Sequence, residues 1–149
     1  MSWAPHITVA CVIEKDGNFL IVEEESFGQV VYNQPAGHVE PGETLIAAAI
    51  RETREETGWQ VKPTELLGLY VYRSPHNQVT YYRTCFIAEA IEHDPNQALD
   101  DGIIQTLWLS PDTLKAQAEK WRSPIVYKCV EDYLNGQRYP LDYIYQYNK

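Results

Sequence analysis

The chain has 149 residues and a net charge of −9 at neutral pH. That length suits one domain, residues 1–149, with an ordinary core, and the acidic balance excludes partners bound through a basic footprint, nucleic acid first among them. No stretch approaches the roughly 18 consecutive apolar residues of a membrane span, and no basic segment leads into an apolar run, so a cytoplasmic protein without membrane contact is expected.

His6 to Ile13 is apolar and β-rich, Lys15-Asp-Gly-Asn18 is a turn, and Phe19 to Glu23 is a second strand, which together predict a hairpin. Val30 and Val31 suggest a short strand. Pro35 to Glu43 holds two prolines and two glycines, so the chain turns sharply there. Thr44 to Thr57 then predicts a helix, because Ala47, Ala48 and Ala49 are strong helix formers and Gly58 is the preferred residue past a helix end. Ile46, Ile50, Thr53 and Thr57 form its packing stripe. Glu65 to Tyr72 and Val79 to Ala90 read as longer strands around a turn at Pro75-His-Asn77. Thr106 to Leu109 gives another strand. Ser110-Pro111 and Ser123-Pro124 are helix starts, and the second leads into Val126, Cys129, Val130, Tyr133 and Leu134 at helical spacing up to Gly136. A mixed sheet with helices against it follows. Cys11, Cys85 and Cys129 lie in apolar surroundings without a Cys-x-x-Cys spacing, and are expected to be reduced core thiols.

The helix over 44–57 carries Glu52, Glu55 and Glu56 within one arc of about 100°. Like charges at these spacings repel by a few tenths of a kcal/mol per pair, on the order of 0.5 at most, and something must offset that. Either the face is simply solvated, or it takes a hard cation, which prefers carboxylate oxygens together with waters and a substrate's phosphates.

The wider pattern favours the second reading. Gly37 is followed after five residues by Glu43, and after seven more by Arg51-Glu52-x-x-Glu55-Glu56-x-Gly58. This pattern resembles the Nudix box. The resemblance implies the Nudix fold, an α/β (α+β) class in which a mixed β-sheet is sandwiched between helices. It also implies hydrolysis of a nucleoside diphosphate linked to another group, with Mg²⁺ as cofactor and Mn²⁺ as a substitute. By motif, Gly37 (through its carbonyl), Glu52, Glu55 and Glu56 form the metal set. Arg51 orients the glutamates and Glu43 ties the loop to the helix. Glu55 is favoured as the proton acceptor, with Arg51 and Glu52 beside it in the catalytic set. A later acid often completes the metal site; Asp100 and Asp101 are the candidates, Asp101 being taken into the set, although an Asp-Asp-Gly run also suits a surface turn. His38 is more simply structural than catalytic.

Tyr32-Asn-Gln-Pro-Ala-Gly-His-Val-Glu40, Arg122-Ser-Pro-Ile, Gly136-Gln-Arg-Tyr-Pro-Leu141 and the first strand Pro5-His-Ile-Thr-Val-Ala-Cys11 carry a further resemblance, to a bacterial phosphatase subfamily of the same family. It implies action on nucleoside tri- and diphosphates and on hydroxymethylpyrimidine pyrophosphate, with release of orthophosphate. Arg122, ahead of a helix start, is then a candidate phosphate holder, or else a surface arginine. Tyr32, Asn33 and Gln34 are candidates for contact with a base or pyrimidine, and a tyrosine there suits a core equally. Pro75, sixteen residues beyond Trp59, instead suggests an ADP-ribose or other nucleoside diphosphate sugar pyrophosphatase. A non-catalytic nucleotide-sensing domain is disfavoured because the box carboxylates are all present. The expected partner is a small molecule, with the protein a monomer or weak homodimer.

Overall fold

The computed structural model describes residues 2–147. Eight strands and three α-helices form: β1 (His6–Val12), β2 (Glu14–Lys15), β3 (Asn18–Ser26), β4 (Gln29–Asn33), β5 (Ala36–His38), α1 (Leu45–Thr57), β6 (Trp59–Arg73), β7 (Thr80–His93), β8 (Ile103–Leu109), α2 (Pro111–Ala116) and α3 (Ile125–Leu134). Two sheets take the place of the single mixed one expected. The first has the order β5-β1-β7-β6, with β1 parallel to β7 and the other pairs antiparallel; the second sets β3 between β8 and the β2 and β4 edge, all antiparallel.

Strand periodicity divides the core. Successive side chains of a strand face opposite ways, so Val9, Cys11, Phe86 and Ala88 pack toward α1 with Ala48 and Ala49. Ala10, Val12, Cys85 and Ile87 pack toward α3 with Val126, Cys129 and Val130. Both faces of the first sheet are therefore buried, and the three cysteines, two on its strands and one on α3, are free and buried. Leu134 ends α3 half exposed rather than in the expected packing stripe. On α1 the buried face is Ala48, Ala49, Thr53, Glu56 and Thr57, while Ile46 and Ile50 stay partly exposed; small side chains allow the close approach.

Other departures have local causes. The box loop contains β5, which pairs Gly37 with Val9 on the sheet edge. β6 begins at Trp59, well ahead of the expected Glu65. Pro63 reads as a strand breaker, but a register shift beside it accommodates the missing N–H. α3 starts two residues after Ser123, whose Oγ accepts from the Ile125 N–H at 3.2 Å.

α1 is fixed at both ends. Thr44 Oγ1 accepts from the Ala47 N–H at 3.0 Å, and Gly58, at φ 75°, donates its N–H to the Arg54 carbonyl at 2.8 Å. A Cβ at Gly58 would also stand 2.8 Å from the Asp94 carbonyl oxygen. Gly58→Ala is therefore expected to destabilise the protein by roughly 1–3 kcal/mol, the left-handed strain plus that contact, read as a lower urea midpoint with an unchanged slope.

Candidate active site

The site grows from one face of α1 and the strand edge above it. Glu56 is buried, and its Oε1 accepts from the Ala36 N–H at 2.9 Å. Glu52 lies beneath Gly37 so closely that a Cβ there would meet its carboxylate, which would have to swing away from its bond to Arg51. Asp100 arrives from the segment before β8, its N–H donating to the Glu55 carbonyl at 3.0 Å. Oxygens of Glu52, Glu56 and Asp100 all lie within 4.8 Å of one another.

Arg51 organises the surrounding acids. Its Nε and Nη2 donate to Glu43 at 2.6 and 2.9 Å, and its Nη1 to Glu52 at 2.7 Å and Glu55 at 3.2 Å. Nη2 also donates to the His38 carbonyl at 3.0 Å, joining β5 to the helix. Glu43 Oε1 in turn accepts from the Glu40 N–H at 3.0 Å, which closes the loop. Charge-assisted, multidentate bonds of this kind are the strong class. The hydrogen bond from Arg51 lowers the pKa of Glu43.

Glu56 lies beyond that guanidinium's reach. Burial first, then the charges of Glu24, Glu52 and Asp100, push its carboxyl from 4.5 up to about 9, against the opposing Ala36 N–H. Burial likewise raises Glu52 and Asp100. Acids crowded together, one of them buried and one facing a glycine, suit a hard divalent cation held by oxygen.

The cluster opens into a cavity of about 410 Å³ over the α3 face of the first sheet. Thr8, Asn33, His38, Arg83, Trp121 and Arg122 are among its lining residues, with Phe27 and His76 stacked at 4.8 Å on its rim. His38 is bonded ring to ring with His6 at 2.9 Å, and burial lowers its pKa.

The expected site residues are thus distributed unevenly. Gly37, Glu52, Glu56 and Asp100 converge, and Arg51 and Glu55 flank them. Asp101 is replaced in the cluster by Asp100, because the bond to the Glu55 carbonyl anchors the first residue of that turn. Of the expected base contacts only Asn33 lines the cavity. Tyr32 packs in the core with Lys120 over its ring at 5.0 Å, and Gln34 is 1% exposed, donating to the Val126 carbonyl at 2.7 Å. Arg122 lines the cavity but is paired with Glu24 at 2.7 Å, so its charge is already answered. Sequence reasoning passed over Arg83. The signal was there: Arg83 shares the parity of Cys85 and Ile87 on a buried strand face.

The raised carboxyls have a consequence for stability. Glu56 titrates near 4.5 when unfolded and about 9 when folded, so between those values the folded state holds a proton that the unfolded state has released. Stability then falls as pH rises through that window. Metal-free protein is expected to melt progressively lower from about pH 5 to pH 9, and Glu56→Gln, which mimics the protonated form, is expected to flatten the dependence. Melting followed by circular dichroism in a chelator checks both.

With this geometry in view, comparison with known proteins gives a consistent result. The NUDIX domain family model matches residues 4–129. Phosphatase NudJ of Escherichia coli (strain K12) and that of Shigella flexneri are each 40% identical to this chain over 144 residues, 97% of this chain and 93% of theirs. The solved structure of a NUDIX hydrolase from Nitrosomonas europaea superposes with a TM-score of 0.94 at 44% identity, covering 97% of this chain and 98% of its own. Both the box pattern and the wider resemblance to a bacterial phosphatase are accounted for, and this chain belongs to the Nudix hydrolase family.

Proposed function

We propose that the chain, acting as one domain, hydrolyses phosphoanhydride bonds in nucleoside tri- and diphosphates and in hydroxymethylpyrimidine pyrophosphate, releasing orthophosphate with Mg²⁺ as cofactor. The reading rests on one observation: of three carboxylates with oxygens within 4.8 Å of one another, Glu52 and Glu56 line a cavity large enough for a small phosphorylated molecule. The substrate class follows from likeness to Phosphatase NudJ.

In this reading Glu52, Glu56, Asp100 and the Gly37 carbonyl hold the cation. When bound there, the cation would neutralise phosphate oxygens and lower the pKa of a coordinated water. Arg51 keeps Glu52 and Glu55 in register through bonds of 2.7 and 3.2 Å, and Glu55, partly exposed beside the cluster, takes the proton from the attacking water. Arg51 also holds the glycine-bearing strand to the helix, so losing it would loosen both sides of the site together. Small-molecule substrates are consistent with the net charge of −9, which disfavours nucleic acid. Among the described residues no helix is long and apolar enough to cross a membrane. We read the protein as cytoplasmic, monomeric or weakly dimeric.

Pro75 sits in the turn between β6 and β7, next to the cavity-lining Ser74 and His76, so the nucleoside diphosphate sugar reading has a structural locus. Products decide between the two. Orthophosphate from GTP, GDP and hydroxymethylpyrimidine pyrophosphate supports the first, and AMP with a sugar phosphate from ADP-ribose supports the second. Glu56→Gln is expected to lower kcat by at least about a hundredfold while remaining folded, since even residues behind a metal's ligands cost ten- to a hundredfold. Mg²⁺ is expected to raise the melting temperature of the parent more than that of Glu56→Gln; equal shifts would move the cation elsewhere.

A further inference from the structure

Within the cavity, on β7, stands a buried cation without a counter-charge. Arg83 is 9% exposed, and its Nη1 and Nη2 donate to two neutral amides, Gln34 Oε1 at 2.9 Å and Asn33 Oδ1 at 2.8 Å. Arg51, Arg122 and Arg138 have carboxylate oxygens at 2.6, 2.7 and 3.7 Å, but among the described residues Arg83 has none within 4.0 Å. Against burial, the Cys85 thiol and then the Arg83 charge lower the pKa of Cys129, but a protonated thiol is only a weak acceptor. An uncompensated buried charge costs several kcal/mol, on the order of 3–5 where a partner has been removed. Such an arrangement persists where something else supplies the partner.

The neighbouring amides show which way the free donors point. A guanidinium carries only donors, so the oxygen of Asn33 must face it and the Asn33 NH₂ must point away. That NH₂ has no hydrogen-bond partner among the described residues, while Asn33 is 4% exposed and lines the cavity. Gln34 is clamped from behind by its bond to the Val126 carbonyl, so the fork of Arg83 is held in one orientation. The pair offers donors alone. In register, His38, Thr8 and Arg83 follow one another across β5, β1 and β7. Two strand spacings, roughly 10 Å, therefore separate Arg83 from the strand that carries Gly37. Tyr72, Tyr81 and Trp121 line the same cavity and suit a flat ring.

We propose that Arg83 and Asn33 form a recognition subsite for an acceptor-only, oxygen-bearing group on the part of the substrate remote from the hydrolysed bond, with Gln34 as the positioning residue. The inference rests on the cavity being the substrate site, as proposed above. Two sources fit the chemistry: the keto edge of a base, as in guanine or uracil, whereas adenine and cytosine present amino donors there, or a second phosphate.

Calorimetric titration with Mg²⁺ and non-hydrolysable methylene-bridged diphosphates of guanosine, uridine and adenosine, together with base-free methylenediphosphonate, tests the subsite. Arg83→Gln is expected to weaken binding by about ten- to a hundredfold, the worth of a charge-assisted hydrogen bond. A loss confined to the guanosine and uridine analogues identifies a keto edge. A loss that extends to methylenediphosphonate identifies a phosphate. Asn33→Asp supplies the missing carboxylate, so it is expected to raise the melting temperature of the free protein and to weaken the analogues at least tenfold; this variant decides the matter if Arg83→Gln does not fold. Affinities left unchanged by the substitutions that fold overturn the subsite alone. If the parent binds no analogue and releases no phosphate from nucleotides, the functional reading falls with it.

Discussion

One guanidinium governs this site. Arg51 stands within 2.6–3.5 Å of carboxylates from Glu43, Glu52, Glu55 and Glu40, and it also reaches the His38 carbonyl on β5. A planar fork with five donors can serve several acceptors at once, which a lysine's single ammonium cannot match geometrically. It makes Glu52 and Glu55 on one helical face tolerable, and it sews that face to the strand carrying Gly37. Its reach ends at Glu56. At 4.8 Å, two carboxylates cost each other about 3 kcal/mol at an effective dielectric of ~20. Glu56, buried and without an arginine, responds by holding its proton to about 9. The remaining deficit of positive charge falls where a cation fits.

The fold supplies this geometry through register more than through any single contact. Both faces of the first sheet are covered, so β1 and β7 cannot slip without moving apolar side chains to the wrong layer. β5 is short and lies on the edge, yet its pairing with β1 decides which residue stands over Glu52. A slip of one position would put Ala36 or His38 there, and a Cβ at that point meets the carboxylate. The stability of the sheet and the geometry of the acidic cluster are thus coupled through three residues of β5.

Local chemistry made much of this legible before the structure. The glycine stop of α1 and its acidic face follow from spacing, the glycine at Gly37 came with the family resemblance, and the helix starts fell close to their expected places, whereas the first strand pairs with β5 and β7 in place of the expected hairpin with Phe19 to Glu23. What the spacing could not show was which neighbours share a cavity. Adjacent strand residues face opposite ways, so Tyr32 and Asn33 could not both face the cavity, and only tertiary packing decided that Asn33 does. Asp100 and Asp101 are equivalent as a turn motif until the Glu55 carbonyl selects one. Arg122 carried a plausible signal at a helix start, but Glu24, nearly a hundred positions away in sequence, had claimed it. Arg83 was concealed by its apolar strand, although a charge on the buried parity is itself informative.

These placements give the cavity a polarity. The box end gathers acids, and Arg122 is neutralised by Glu24, which leaves Arg83 as the cavity-lining arginine without a carboxylate partner among the described residues. Before a cation binds, the acidic end repels an anion and the Arg83 end attracts an acceptor. A cation held there, as proposed, would let the acidic end take phosphate while Arg83 stays unchanged. A substrate with a phosphate chain at one end and acceptor oxygens at the other therefore meets favourable charge in only one orientation. Because charge interactions extend over roughly a Debye length of 8 Å while shape acts on contact, orientation is selected before the fit is complete.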